Sequence, residues 1–158
     1  MSQWQRFGDM LFEESRLLAE LGDAALALTE ALVANVPARI LAAERQLESK
    51  RVLHGMAYAQ RLAMQKRGFG QLSLRQVCAY APPSLRRKLY AAVHALTTRG
   101  IGLRLTVQNN KALILAGMDR LARTVQVLQR ASTEQTGTYR RRGIIPPPTG
   151  SVLVSRRA

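Results

Sequence analysis

Trp4, Phe7, Leu11, Glu14, Leu18, Leu21, Ala25, Leu28 and Leu32 recur in alternating steps of three and four. That spacing lines up one stripe along an α-helix and suits it for pairing with another. Glu14 is the only polar member. Asn35, Val36 and Pro37 interrupt the pattern, and proline is tolerated in the first turn of a new helix, so a second helix is predicted from about Pro37 to Lys66. Its apolar positions, Ile40, Ala43, Leu47, Leu53, Met56 and Leu62, drift from face to face, as expected of a helix that touches more than one neighbour.

After "RGFG", Ser73 and Gln76 have the spacing of a capping box and start a short third helix, which "APPS" ends. The longest element runs from about Ser84 to Ala131. Its seam is Leu89, Val93, Leu96, Gly100, Leu103, Val107, Asn110, Ile114, Gly117, Leu121, Thr124 and Leu128, a sustained heptad. Gly100 and Gly102 each cost a helix interior roughly 1 kcal/mol against alanine, so a bend or a close backbone neighbour is expected there. "RGFGQLSL" begins like an RNA-binding strand signature, but Gln71 and Leu74 stand where that signature needs aromatic rings. A helix-to-helix turn that uses Gly68 and Gly70 is the expectation instead.

These elements predict an all-α fold, a long antiparallel helical hairpin or coiled-coil-like bundle of about three to four helices with a flexible C-terminal tail. Helices are expected over 3–34, 38–66 and 84–131, with the first and last antiparallel. Residues 1–131 form the expected bundle domain. Residues 132–158 form a tail rich in Pro, Gly and Arg, which contains "TYRRRGIIPPPTG".

Composition adds detail to this picture. The 158 residues are 47% apolar but only 5% aromatic, so the core must come from Leu, Ala and Val. Cys78 is the only cysteine and cannot form an intramolecular disulfide, which fits a reducing compartment. The N-terminal stretch has acidic residues where a signal peptide needs an apolar core, and no apolar run approaches the roughly 20 residues that span a bilayer. A soluble cytoplasmic protein is the expectation. Net charge is +14, unevenly placed: residues 1–36 carry 2 basic and 6 acidic groups (−4), whereas 72–131 carry 10 and 1 (+9). The acidic first helix can be neutralised by packing antiparallel on the last, or the basic remainder can be a landing surface for nucleic acid or an acidic partner.

No catalytic constellation stands out. His54 and His94 lie on different helices, each without a second ligand at helical spacing, and Cys78 sits on an apolar turn with no neighbouring histidine. The chain reads as a non-enzyme with no metal or cofactor. Leu113, Ile114, Leu115, Met118, Leu121, Val125, Val127 and Leu128 carry more apolar surface than one seam requires, so part of it should face outward and receive an amphipathic partner helix.

An N-terminal helix with "ESRLLAELGDAAL", a Pro-started second helix, a long last helix with "NNKALI" and a following "TYRRRG" resemble the FlgN-like flagellar export chaperones. Glu14, Asn110, Thr138, Tyr139 and Gly143 stand at that family's motif places. The resemblance implies a cytoplasmic type III export chaperone that binds the C-terminal helices of the hook-associated proteins of the hook–filament junction and delivers them to the export gate. It implies that the last helix, through Leu113, Ile114, Leu115, Met118, Leu121, Val125 and Leu128, engages cargo, and that Tyr139 docks on the cytoplasmic domain of the gate. The chain departs from the family pattern in its high positive charge, in Arg140, where an acidic residue is usual, and in Val107, where an asparagine is usual. The alternative is a small basic helical nucleic-acid-binding protein, although Arg86, Arg87, Arg99, Arg104, Lys111, Arg120, Arg123 and Arg130 are scattered around the heptad and make no recognised reading helix.

Overall fold

Ser2 opens the first helix by a reciprocal cap: its hydroxyl accepts from the Gln5 backbone N–H while the Gln5 side chain accepts from the Ser2 N–H. The computed structural model describes residues 2–141, with side chains described through 133. Within them lie α1 (Gln3–Ala34), α2 (Pro37–Phe69), α3 (Leu74–Tyr80) and α4 (Pro83–Arg141), with no strand among the described residues. The predicted all-α class is therefore observed, and Arg67–Phe69 of "RGFG" are helical. The longest helix continues to Arg141, ten residues beyond its expected end at Ala131. The chain divides into two compact units, Met1–Ile114 and Leu115 onward.

In the first unit α1 and α2 form the antiparallel hairpin. Asn35 makes the turn in the left-handed region, φ 52°, a conformation that asparagine tolerates better than most side chains, and its N–H caps the Leu32 carbonyl. Pro37 then takes the first turn of α2, where its missing N–H costs nothing. Gly70 ends α2 with φ 67°, and its N–H bonds to the Lys66 carbonyl. Only this glycine of the pair is needed for its backbone angle. Gly68 is helical, and a Cβ there would run into the Gln3 side-chain amide. The predicted Ser73–Gln76 capping box is present at the start of α3. Arg86 closes the other end of α3 by donating twice to the Ala81 carbonyl.

The direction of the last helix differs from expectation. Gly8 of α1 lies against Leu89, the Ser15 carbonyl and hydroxyl accept from Arg99, and the Ala25 carbonyl accepts from Asn110. Numbers rise together along both helices, so α1 and α4 run parallel. The reason is topological: α2 returns the chain to the start of α1, and the short α3 segment reverses it again. The antiparallel partner of α1 is α2, with Glu14 opposite Arg61, Glu20 opposite Lys50 and Ala31 beside Ala43.

α1 is thus the element that α2 and α4 share. Besides the predicted stripe it buries Gly8, Ser15, Leu17, Ala24 and Ala31, a second contact line that one heptad does not describe. The main core gathers Phe7, Leu11, Val77, Cys78, Ala81, Leu89 and Ala92. Phe7 meets Phe69 edge-on at 5.1 Å between ring centres, and Trp4 covers Phe69 at 4.6 Å. A smaller cluster of Leu28, Ala31 and Ala43, with Leu32, Ile40 and Leu47 against it, closes the hairpin near its turn. α2 does touch more than one neighbour, since Met64 and Phe69 near its end join the cluster of α1, α3 and α4, but Leu53 and Met56 of the drifting set are exposed.

The α4 contact line also shifts. Leu89 and Asn110 are buried and Val93, Leu96 and Leu103 half-buried as predicted, but Thr106 and Leu113 take the inner places assigned to Val107 and Ile114, which are exposed. Residues 106 and 107 flank the stripe on either side, and hydropathy selects Val over Thr although the Thr methyl packs as well. Among the described residues no other element comes within 4 Å of where a Cβ would stand at Gly100 or Gly102, so the expected close backbone neighbour is not found there.

Candidate functional site

Two buried polar links and one exposed apolar stripe stand apart from the ordinary apolar packing between the helices. Glu14 and Arg61 form a bidentate pair, Nε to Oε2 at 2.7 Å and Nη2 to Oε1 at 3.1 Å, with side chains 4% and 5% exposed. Arg61 also donates to Gln65 Oε1 at 2.8 Å, and Gln65 Nε2 donates to the Leu72 carbonyl at 2.6 Å. The guanidinium stacks 5.0 Å from the Tyr58 ring centre. This relay ties α1 to α2 and to the turn before α3. It gives Glu14 the partner that a carboxylate inside an apolar seam requires. Glu14 is thus a structural acid, and Arg61 and Gln65 are the partners that sequence reading missed. Their i, i+4 spacing on α2 was the available signal.

The second link holds α1 to α4. Asn110 Nδ2 donates to the Ala25 carbonyl at 2.9 Å, and the Thr29 hydroxyl lies 2.7 Å from Asn110 Oδ1. An amide at one core position of a helix pair specifies register, because any slip leaves it unpaired in an apolar seam. Asn110→Leu should leave unfolding stability within about 1 kcal/mol of the parent while loosening that register. Spin labels at Asp23 and Gln108 would measure it: a single narrow distance in the parent, a broadened one in the variant. An unchanged distribution would remove the register role.

Among the described residues, ion pairing of the acidic first helix to another helix goes to α2 and not to the basic last helix: Glu20 accepts from Lys50 at 2.6 Å and also contacts Arg16. The Lys50 hydrogen bond is the main influence holding the Glu20 carboxyl below the usual carboxylate range. Arg99 is a cation of α4 that reaches the acidic helix, and it donates there to the Ser15 carbonyl and hydroxyl at 2.6 and 2.7 Å rather than to a carboxylate.

The stripe lies on α4. In the unit that begins at Leu115, every side chain described through Thr133 is exposed. Leu115, Met118, Leu121, Val125, Val127 and Leu128 are between 44% and 65% exposed. At the end of the first unit, Ile114 is exposed and Leu113 half-buried. Six of the seven residues expected to engage cargo are therefore open to solvent, and Leu113 partly so. Charged residues of this stretch, Asp119, Arg120, Arg123 and Arg130, fall between the stripe positions, and Asp119 pairs with Arg123 one turn on at 2.6 Å. Tyr139 lies two heptads beyond Val125 in a helix that runs to Arg141; its side chain lies outside the described residues, as do Gly143 and the prolines at 146–148.

Other chemistry-bearing groups remain apart. Burial pushes the Cys78 thiol up, away from the reactive thiolate. His54 Nε2 is buried with no hydrogen-bond partner, and His94 is exposed on another helix. No cluster of three His, Cys, Asp or Glu side chains capable of holding a metal occurs among the described residues. None of their helices is long and apolar enough to cross a membrane.

No protein-family model, curated protein or solved structure matches the chain.

Proposed function

We propose that the chain is a non-enzymatic export chaperone that holds an amphipathic helix of a partner against the apolar stripe of α4. The supporting observation is the exposure of Leu115, Met118, Leu121, Val125 and Leu128 on one continuous helix. Large apolar side chains at helical spacing, left uncovered by their own unit, suit the mode in which partner and protein bury complementary helical faces. Met118 adds a side chain that adapts to varied shapes. On the resemblance to FlgN-like chaperones, the partners are the C-terminal helices of hook-associated proteins, and Tyr139 docks the loaded chaperone on the cytoplasmic domain of the export gate.

The test is calorimetric titration with a peptide of such a C-terminal helix. Met118→Asp with Leu128→Asp should weaken binding at least tenfold, about 1.4 kcal/mol or more, while helical content stays at the parent level. Tyr139→Ala should keep peptide binding and lose capture by the gate domain. Equal affinity of the double variant would overturn the stripe as the binding face. Saturable, steeply salt-dependent binding of random duplex, without peptide binding, would favour the nucleic-acid reading.

A further inference from the structure

We infer that, without a partner, the α4 stripe is closed by a second copy of this chain, in a parallel two-stranded coil centred on Met118, Leu121, Val125 and Leu128. The inference builds on the proposed binding face but not on the identity of any cargo.

Three observations select this occupant. The four residues step by three, four and three, which makes Met118 and Val125 the a positions of a heptad and Leu121 and Leu128 its d positions. Val125 at one a place, with leucine at both d places, follows the pattern that favours two parallel strands, and the unbranched Met118 fills the other a place. Second, the charges fall where self-pairing tolerates them. The e and g positions that border such a seam are Leu115, Ala122, Gln129, Gly117, Thr124 and Ala131, all uncharged. Asp119, Arg120, Arg123 and Arg130 occupy the outer b, c and f places, so two copies of a +14 chain meet here without opposing like charges. A partner chosen by charge would call for cations at e and g. Third, Met118, Leu121, Val125 and Leu128 form a narrow line with Arg123 and Arg130 on the opposite side, Val127 stands apart from it, and the stretch contains no aromatic residue. A helix that lies on an anionic membrane carries a wider apolar face, commonly with Trp or Phe in it.

A helix with an a/d seam is complementary to itself, so the pairing closes as a two-fold dimer. Two heptads make a short interface, and the association is reversible. A partner helix competes for the same side chains, so self-pairing keeps the stripe covered until cargo arrives.

Light scattering of the full chain across a dilution series tests this. The mass should rise from the single-chain 17.5 kDa towards twice that value as concentration climbs into the range of about 1–100 µM. Leu121→Asp with Val125→Asp should hold it at the single-chain mass, with circular dichroism reporting intact helix. Leu53→Asp, on the exposed face of α2, should leave the mass profile unchanged. Cysteine cross-linking reads the orientation: Leu121→Cys and Leu128→Cys should each link to their own kind, and Val127→Cys should not. A single-chain mass at every concentration, a trimer, or linkage at Val127→Cys equal to that at Leu128→Cys would overturn the proposal. Peptide binding by a chain that never dimerises would overturn self-pairing and leave the partner reading standing.

Discussion

Arg61→Ala should lower unfolding stability by about 3–5 kcal/mol, because it strands the Glu14 carboxylate in the seam between α1 and α2. The paired charges are themselves costly to desolvate, so the cost belongs to the broken pair more than to the intact one. Replacing both, Glu14→Leu with Arg61→Leu, should therefore recover most of the loss, and can match or exceed the parent. Urea unfolding of the three variants measures this directly, with an unchanged slope showing that the unfolded reference is the same. If Arg61→Ala cost under about 1 kcal/mol, water would be reaching the pair and the buried relay through Gln65 to the Leu72 carbonyl would not hold.

Phe7→Ala should cost a similar amount, about 3–5 kcal/mol. Phe7 is fully buried, meets Phe69 edge-on, and belongs to the cluster with Val77, Cys78 and Leu89 that joins all four helices. Its removal opens a cavity where α1, α2, α3 and α4 converge, and none of these elements can collapse inward without losing its other contacts. Phe12→Ala, five residues on but exposed, should stay within about 0.5 kcal/mol of the parent. Chemical denaturation of the two variants side by side distinguishes a packed core at Phe7 from a helix held only by propensity. Equal effects would refute the assigned faces of α1.

The predicted seam of α1 was legible because each of its residues has one role: Phe7, Leu11, Leu18, Leu21, Ala25 and Leu28 are apolar at helical spacing and all are buried. The turns were equally readable where a side chain or backbone angle dictates them, at Asn35–Pro37 and at the Ser73 cap. The Ser2–Gln5 cap has the same spacing as Ser73–Gln76 and was readable on the same grounds. The surplus of apolar residues on the last helix is likewise plain in the hydrophobic pattern, since a seam uses two positions in seven and this stretch offers more.

Local pattern sufficed to say which residues form helices, where α1, α2 and α3 begin and end to within a few positions, and that Glu14 and Asn110 interrupt apolar seams. These follow from local forces: periodic burial, capping and the conformational limits of proline and glycine. The direction of α4 against α1, the choice of Arg61 and Gln65 as partners, the second buried line on α1 and the inner place of Thr106 were decided only in the tertiary structure. Each depends on which helices the two intervening turns bring side by side. A heptad reports that a helix has a sticky face, and the same face can pair in either direction. Only the path of the chain through α2 and α3 makes α4 parallel to α1, and only that juxtaposition sets Asn110 opposite Ala25 and Thr29.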